Sequence, residues 1–217
     1  MDKVAVVVGA TGLIGRNLCQ LLLERNDLVE TIAITRKPIK IDGKGLRNIV
    51  LKDFANLEDL AGDLRSDLDT YGFCCLGTTM KAAGSKSAFR TVDYDYVLSF
   101  ARLCHAIGAK HTSFVSALGA NAKAMSFYSR TKGEAELAIQ DLSLPSASIL
   151  QPSLLTGQRD HFRLGESLAK PLMSWLPLSI RSIDGFAVAK AMIEVAWDEK
   201  PGTHTYRSRD IQIIARA

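Results

Sequence analysis

The sequence lacks a cysteine framework, a metal-ligand pattern and a block of basic residues. Its four cysteines have no framework spacing and no Cys-x-x-Cys pair, so we expect neither a disulfide scaffold nor a thiolate metal site. The four histidines are also spaced unlike metal ligands, and we expect no metal. The 27 basic residues are scattered without interleaved aromatic residues, which gives no support for nucleic-acid binding.

A long hydrophobic run is missing as well. The apolar residues 4–8 near the N-terminus are far too few for a membrane span or for the hydrophobic region of a signal peptide. We therefore expect a cytoplasmic protein with no membrane span. The adjacent Cys74 and Cys75 agree with a reducing compartment, because their apolar surroundings predict a buried, reduced pair.

Short β-branched runs alternate with helical patterns along the 217 residues. The runs predict strands at residues 4–8, 29–35, 49–51, 72–76, 112–116 and 147–150. Helices are predicted at residues 14–22, 92–107, 127–142 and 186–197, and a short segment at 203–206 closes the domain. This alternation predicts a single α/β domain over residues 1–217, with a doubly wound parallel sheet of the Rossmann type.

One stretch, residues 156–185, breaks the alternation by mixing glycine and proline with large apolar residues. Ligands of open α/β sheets bind beyond the carboxyl ends of the strands, and an insert after the sixth strand lies at that edge. We therefore expect residues 156–185 to form a small C-terminal substrate cap with an apolar lining. Two alternatives stay open: a patch that only completes the core, and one side of a homodimer.

Three glycines follow the first predicted strand directly and open the first predicted helix. Gly9 permits a tight turn, Gly12 lets the backbone approach a pyrophosphate, and Gly15 lets helix and strand pack closely. The helix N-terminus then offers free N–H groups and a partial positive charge to phosphate oxygens. The loop is therefore predicted to bind a dinucleotide through Gly9, Ala10, Thr11, Gly12, Leu13, Ile14 and Gly15.

The end of the second predicted strand distinguishes the two nicotinamide cofactors. Proteins selective for NAD place Asp or Glu there, where the carboxylate binds the ribose hydroxyls. This chain has Arg36 and Lys37 instead. The planar fork of arginine suits a phosphate and the lysine adds charge, so we expect NADP(H) rather than NAD(H).

A tyrosine and a lysine, Tyr128 and Lys132, lie four residues apart on one face of a predicted helix. The ammonium group favours the phenolate, so Tyr128 could serve as general acid or base on a carbonyl or alcohol oxygen. Lys132 could also bind the nicotinamide ribose, and Ser116, at the end of the fifth strand, could hold the substrate oxygen. The alternative is an ordinary exposed pair, but the dinucleotide loop and Ser116 favour the catalytic interpretation.

These motifs, with others around them, give the chain a resemblance to a known family. It resembles the atypical short-chain dehydrogenase/reductases, and within them the branch related to the Tat-interacting oxidoreductase. The similar segments cover residues 4–157 and include Gly9-x-x-Gly12-x-x-Gly15, Phe73-Cys74-Cys75-Leu76-Gly77-Thr78-Thr79, Val92-Asp93-x-Asp95-Tyr96-Val97, His111-x-x-Phe114-x-x-Ser116 and Tyr128-x-x-x-Lys132-Gly133-Glu134-x-Glu136.

The resemblance implies a Rossmann fold, NADP(H) binding and a catalytic centre of Ser116, Tyr128 and Lys132. It also implies further contacts with the cofactor. The adenosine and ribose would be lined by Leu76, Gly77 and Thr78, the adenine by Asp53 and Phe54, and the nicotinamide by the segment that runs from Pro152 to Leu155. The chain departs from many relatives at Asp93, where they carry Asn.

Several functions fit these features. An NADPH-dependent reductase of a small carbonyl compound is favoured, because all three catalytic groups are retained. A non-catalytic NADP(H)-binding regulator or sensor is the alternative, since members of this branch are known as regulators. A semialdehyde dehydrogenase needs a cysteine nucleophile beside the nicotinamide, whereas Cys74 and Cys75 fall within a strand. An epimerase or dehydratase that uses bound cofactor also stays open. For each enzyme, the expected partner is a small-molecule substrate.

Overall fold

The computed structural model describes residues 2–41, 43–64, 67–156 and 182–216. Strands within these ranges are β1 (Lys3–Val8), β2 (Leu28–Thr35), β3 (Leu46–Val50), β4 (Asp69–Cys74), β5 (His111–Val115), β6 (Ser146–Gln151), β7 (Leu155–Thr156), β8 (Ile183–Asp184) and β9 (Gly202–Arg207). Helices are α1 (Leu13–Leu23), α2 (Ala61–Leu64), α3 (Met80–Ala83), α4 (Lys86–Arg90), α5 (Tyr96–Ala106), α6 (Phe127–Asp141), α7 (Gly185–Trp197) and α8 (Ser208–Ile214).

Seven strands form one parallel sheet in the order β3-β2-β1-β4-β5-β6-β9. The chain runs outward from β1 to β3 and then returns to β4 on the other side of β1. The connections therefore diverge between β1 and β4, which creates a crevice at the carboxyl ends of these two strands. The predicted fold class, a doubly wound parallel sheet of the Rossmann type, is confirmed.

A hydrophobic core covers each face of the sheet, because alternate residues of a strand point to opposite sides. On one face, Val4, Val6 and Val8 of β1 pack with residues of α5 and α6. On the other face, Ala5 and Val7 pack with residues of α1 and α7. Each fully buried valine contributes roughly 1.5–3 kcal/mol, so these two layers fix the strand register and hold the carboxyl ends of the strands in place.

The C-terminal segment differs from its prediction. Residues 203–206 were expected only to close the domain, yet β9 is the seventh strand and pairs with β6 from Ser146↔Gly202 to Gln151↔Arg207. Its sequence, GTHTYR, is polar and its residues are exposed or half-buried, as is usual for an edge strand. Such a strand lacks the apolar signal by which buried strands are recognised.

The predicted helix at residues 92–107 is also divided in the structure. A π-helical turn covers Thr91–Asp95, and the regular helix α5 begins only at Tyr96. π-Helical turns are rare and often occur at functional sites, because the extra residue redirects a side chain. The turn contains Asp93, whose side chain is completely buried.

Most of the predicted cap lies outside the described residues, which omit 157–181. Its two ends are described, and they lie together. Strand β7 pairs in parallel with β8, through Leu155↔Ile183 and Thr156↔Asp184. The segment therefore leaves and re-enters the fold at one place, just beyond the end of β6.

Candidate functional site

The glycine loop lies at the crevice between β1 and β4. Gly9 follows β1 with a φ of 80°, and the Gly12 N–H donates to the Gly9 carbonyl oxygen at 3.0 Å. A Cβ atom at Gly9 would lie 2.5 Å from the carbonyl carbon of Cys75, and one at Gly15 would lie 2.1 Å from the Gly9 oxygen. Close backbone approaches therefore require glycine at both positions, even without a ligand.

Gly12 differs from the other two loop glycines. It is exposed, and an added Cβ would approach only the Gly9 oxygen, at 3.3 Å. Gly12 is also the N-cap of the 11-residue helix α1, and no described side chain caps this helix end. The free N–H groups of α1 and the open space above Gly12 fit the pyrophosphate of a dinucleotide.

The segment after β4 borders the same crevice. The Cys75 N–H donates to the Val8 oxygen at 2.9 Å, which ties this segment to the end of β1. The predicted residues Leu76, Gly77 and Thr78 follow directly. Leu76 and Thr78 are half-buried and Gly77 is exposed, so the three residues form an accessible margin of the crevice.

The two cations predicted to bind phosphate, Arg36 and Lys37, are exposed immediately after β2. The loop that carries them is held by Thr35, whose hydroxyl donates to the Lys37 oxygen at 2.8 Å. Asn48 of β3 in turn donates to the Thr35 hydroxyl oxygen at 2.8 Å. The loop geometry is thus fixed by buried and half-buried polar groups, while both cationic side chains stay accessible.

The two residues predicted near the adenine occupy different environments. Asp53 is exposed, and its carboxylate accepts a hydrogen bond from the Tyr96 side chain, which lowers the pKa of Asp53. The Phe54 side chain is only 2% exposed and packs in the core, with its ring centroid 5.6 Å from that of Tyr96. Phe54 therefore has only its backbone available for an adenine.

Sequence reasoning missed Tyr96 at this place. Burial raises the pKa of its phenol, the Asp53 carboxylate raises it further, and the charge of Arg36 opposes both effects. Arg36, Asp53 and Tyr96 therefore lie close enough to interact electrostatically. Tyr96 belongs to a segment that resembles the family, and this was the available indication of a role. No local sequence pattern predicted that its side chain would contact Asp53.

Helix α6 carries the two predicted catalytic residues of the Tyr-x-x-x-Lys pair. Tyr128, Lys132 and Glu136 are spaced at i, i+4 and i+8, which places them along one face of the helix. Gly133 fixes the helix against the preceding loop, because a Cβ there would lie 2.2 Å from backbone atoms of Asn121 and Ala122. The tight contact sets the distance between α6 and the carboxyl end of β5.

Lys132 is buried and paired with Asp93. Its Nζ lies 2.8 Å from Asp93 Oδ1, and the two side chains are 7% and 0% exposed. Burial alone lowers the pKa of Lys132, but the charges of Asp93 and Tyr128 outweigh it and leave the pKa above its ordinary value. The other oxygen of Asp93 accepts from the Thr78 N–H at 2.9 Å, so the pair also anchors the segment after β4.

The alternative of an exposed Tyr–Lys pair is therefore wrong for Lys132. Tyr128 is half-buried, and its ring centroid lies 5.4 Å from that of Phe89 of α4. The charge of Tyr128 acts on Lys132, so the two groups share one electrostatic environment. The Asp93 partner could not be read from helix spacing, because Asp93 precedes Lys132 by 39 positions and belongs to another element.

Ser116 lies directly after β5 and makes a contact that sequence reasoning did not predict. Its hydroxyl donates to Glu136 Oε1, and Gln151 Nε2 lies 3.0 Å from both carboxylate oxygens of Glu136. Burial raises the pKa of the Glu136 carboxyl, against the hydrogen bonds from Ser116 and Gln151 and the charge of Lys132. Glu136 belongs to a segment that resembles the family, but the sequence did not predict its hydrogen bond with Ser116.

Asp93, Ser116, Lys132 and Glu136 line a common cavity of about 10 Å³. That volume is at the lower limit for one water molecule. The predicted nicotinamide segment is tied to the chain that follows Ser116, because the Pro152 oxygen accepts from the Leu118 N–H at 2.9 Å. Pro152 is buried and Leu155, in β7, is half-buried.

The residues of the described ranges show neither a metal-ligand cluster nor a membrane-spanning helix. These residues contain no group of three or more His, Cys, Asp or Glu side chains arranged to hold a metal ion. None of the helices in the described part of the chain is long and apolar enough to cross a membrane. All four cysteines are free thiols, with Cys74 buried and Cys75 half-buried.

A doubly wound parallel sheet with an open glycine loop at its crevice defines the class of dinucleotide-binding Rossmann proteins. The sequence profile described as NAD(P)H-binding matches residues 9–195 of the chain. The chain belongs to this NAD(P)H-binding family, and within the Rossmann proteins to the atypical short-chain dehydrogenase/reductases. The family resemblance noted in the sequence is thereby confirmed, and the chain belongs to an NAD(P)H-binding, oxidoreductase-like family.

Two sequence relatives illustrate the range of the family. Protein HTATIP2 of Rattus norvegicus is 33% identical over 189 residues, which cover 86% of this chain and 76% of that protein. "Protein FMP52, mitochondrial" of Candida albicans is 29% identical over 198 residues, which cover 88% of this chain and 86% of that protein.

Solved structures share the fold at low sequence identity. MoeE5 in complex with UDP-glucose and NAD has a TM-score of 0.69 and 16% identity, over 100% of this chain and 81% of that chain. UDP-N-acetylglucosamine 4-epimerase from Methanobrevibacter ruminantium M1 has a TM-score of 0.72 and 19% identity, over 95% of this chain and 76% of that chain. Likeness at this level of identity shows the fold alone.

Proposed function

We propose that the chain is an NADP(H)-dependent reductase of a small carbonyl compound, with a catalytic centre of Ser116, Tyr128 and Lys132. The observation that carries the proposal is the placement of Lys132. Its ammonium is buried, paired with Asp93 and electrostatically linked to Tyr128, at the open carboxyl edge of the sheet. A buried cation that interacts electrostatically with a phenol is suited to stabilise the phenolate formed when a proton passes to a carbonyl oxygen.

In this proposal the backbone N–H groups of the glycine loop and α1 bind the pyrophosphate. Arg36 and Lys37 bind the 2′-phosphate of the adenosine ribose, because both cations are exposed at the end of β2. The remaining cofactor contacts are assigned to Asp53 and the Phe54 backbone, to Leu76, Gly77 and Thr78, and to the segment from Pro152 to Leu155. A nicotinamide cofactor bound in this way supplies the hydride.

The chain's own residues would then manage the proton and the substrate. Lys132 holds the nicotinamide ribose and stabilises negative charge on Tyr128, while Asp93 fixes the position of Lys132. Tyr128 donates a proton to the carbonyl oxygen, and Ser116 holds that oxygen in place. Residues 156–185 would cover the substrate, since β7 and β8 bring both ends of the segment to this edge.

Two measurements test the proposed function. Titration calorimetry with NADPH and NADH should give the tighter binding for NADPH. NADPH oxidation should be screened against a panel of aldehydes and ketones, and turnover of at least one compound is expected. Equal affinity for both cofactors would contradict the assignment of Arg36 and Lys37 to the 2′-phosphate. Absence of turnover across the panel would contradict the proposed reductase activity.

A non-catalytic NADP(H)-dependent regulator is the second candidate, and the Asp93–Lys132 pair favours it. A carboxylate 2.8 Å from the ammonium offsets the positive charge that Tyr128 would need. Such a protein would bind NADPH without oxidising it, and cofactor binding would change its affinity for a partner. Tight NADPH binding with no turnover across the panel is the result that supports this candidate over the reductase.

A cytoplasmic location is part of this proposal, and the four free thiols are compatible with a reducing compartment. The fungal relatives are named mitochondrial, which makes that organelle the alternative to examine. Fractionation of cells that express the full chain with a C-terminal tag separates the two.

A homodimer formed through residues 156–185 is tested on the same preparation by sedimentation.

A further inference from the structure

Glu136 is an ionisable group at the centre whose role the proposed function leaves open. Its carboxylate accepts the Ser116 hydroxyl and lies 3.0 Å from the Gln151 amide nitrogen. All three side chains come from different elements: the end of β5, helix α6 and strand β6. Glu136 is half-buried, and its carboxylate has hydrogen-bond donors from two other elements. Its contact with Ser116 links its protonation state to the hydrogen bonds that Ser116 can make.

We propose that Glu136 is a positioning residue that decides whether Ser116 donates or accepts a hydrogen bond toward the substrate. A serine hydroxyl has a single hydrogen. When Glu136 is ionised, that hydrogen is engaged by Oε1, and Ser116 Oγ can only accept. The centre then binds an alcohol, whose hydroxyl can donate, better than a carbonyl compound, whose oxygen can only accept.

Protonation of Glu136 reverses this preference. The carboxylic acid can donate from Oε1 to Ser116 Oγ while Gln151 continues to donate to Oε2, so the surrounding hydrogen bonds survive. The Ser116 hydrogen is then free to bond a carbonyl oxygen. No covalent step is involved, because one proton on Glu136 changes only the direction of a hydrogen bond.

The charged groups around Glu136 allow this titration. Lys132 precedes it on α6, Asp93 faces the same cavity from the π-helical turn, and Ser116 and Gln151 are its neutral partners. Asp93 is paired with Lys132, and its negative charge offsets much of the positive charge of Lys132. Lys132 therefore stabilises the Glu136 carboxylate only weakly. Consistent with this, burial holds the pKa of Glu136 above its ordinary value of 4.5.

The link between the two residues can be tested without any substrate. Carbon-13 NMR of the labelled Glu136 carboxyl in the NADP⁺ complex should show titration above pH 4.5. Ser116→Ala should raise the Glu136 pKa further, because it removes a donor that stabilises the carboxylate. Titration at or below the ordinary value, or an unchanged pKa in Ser116→Ala, would overturn the proposal whether or not the protein turns over a substrate.

The consequence for ligands rests on the proposed function and is tested with the ketone identified by the panel and its alcohol. The ketone is bound to the NADP⁺ complex and the alcohol to the NADPH complex, because neither complex can transfer a hydride. As pH falls through the Glu136 pKa, ketone affinity should rise and alcohol affinity should fall, each by about fivefold, the effect of one hydrogen bond.

Variants separate positioning from a structural role. Glu136→Gln should remove both pH-dependent steps while keeping NADPH affinity, and Glu136→Asp should retain a displaced step. Glu134→Gln, two residues earlier on α6 and paired with Arg90, is the matched control and should keep both steps. Pronounced pH-dependent steps that persist in Glu136→Gln would refute the proposal. A panel without turnover would count against the reductase, and the NMR titration would then test the link between Glu136 and Ser116 by itself.

Discussion

Lys132 Nζ lies 2.8 Å from Asp93 Oδ1, and the two side chains are 7% and 0% exposed. The pair joins helix α6 to the π-helical turn before α5, and through the Thr78 N–H it also reaches the segment after β4. It therefore connects the predicted proton-transfer group to the predicted cofactor margin. The cost of burying two charges makes each partner dependent on the other.

Loss of Lys132 alone should destabilise the protein strongly. Lys132→Met leaves the Asp93 carboxylate buried without its cation, at a cost of about 3–5 kcal/mol in the free energy of unfolding. Adding Asp93→Asn should recover most of that loss, because an asparagine oxygen can still accept from the Thr78 N–H. Urea unfolding measures both variants. Lys110→Met, which breaks the exposed pair with Asp69, is the control and should leave the urea midpoint nearly unchanged.

Cofactor preference should depend on Arg36. NADPH should bind more tightly than NADH, and Arg36→Glu should abolish or reverse the difference by removing a charge-assisted contact worth about 1.5–3 kcal/mol. Titration calorimetry with both cofactors gives the measurement. Arg102→Glu, at an exposed position on α5, makes the same charge change away from the site and should keep the preference. An unchanged ratio in Arg36→Glu would show that another group binds the phosphate.

Two of the loop glycines, Gly12 and Gly15, should respond differently to substitution. Gly12→Val should abolish cofactor binding while the fold survives, because an added Cβ meets only the Gly9 oxygen at 3.3 Å. Gly15→Ala should instead lower the melting temperature, since its methyl group would lie 2.1 Å from the Gly9 oxygen and force the backbone apart. Calorimetric binding and thermal unfolding of both variants distinguish the effects. Normal cofactor binding by Gly12→Val would contradict the loop assignment.

Tyr128→Phe should separate the reductase from the regulator. The change removes only the phenolic oxygen and keeps the ring contact with Phe89, so NADPH affinity should change little. Turnover on the best compound of the panel should fall by about 10²–10⁴-fold if Tyr128 is the general acid. Tyr94→Phe keeps its ring stacked on Arg90 and is the matched control. Full activity in Tyr128→Phe would exclude the residue from the mechanism.

A buried histidine should make stability depend on pH. His111 is 1% exposed, its ring nitrogens contact Ser146 and Ser113, and burial lowers its pKa from 6.5 to about 4. The unfolded chain therefore binds an additional proton between these two values. Stability should be complete above pH 6.5 and fall as the pH decreases toward 4, by up to about 3 kcal/mol.

Urea unfolding at intervals from pH 7 to pH 4.5 measures this dependence. His111→Gln should flatten the profile, because the titrating group is gone, although its absolute stability falls with the lost hydrogen bonds. His105→Gln, at an exposed position of α5, is the control and should keep the slope. An identical slope in the wild-type protein and in His111→Gln would assign the pH dependence to other groups.

Local patterns in the sequence were sufficient for the fold class and for the glycine turn after β1. Alternating β-branched runs and helical stripes predicted the parallel sheet, since each signal depends on residues close together in the chain. The glycine loop was predictable for the same reason. Gly9, Gly12 and Gly15 belong to one short segment, and their spacing predicts the close backbone contacts that only glycine allows.

The partners of the predicted catalytic residues were decided only by tertiary structure. Helix spacing predicted that Lys132 and Tyr128 share one face of α6, but the burial of Lys132 against Asp93 depends on how the π-helical turn packs on α6. The contact of Ser116 with Glu136 likewise requires the end of β5 to meet the middle of α6. Side-chain pairs between distant segments leave no local period in the sequence, because their geometry arises when separate elements share one core.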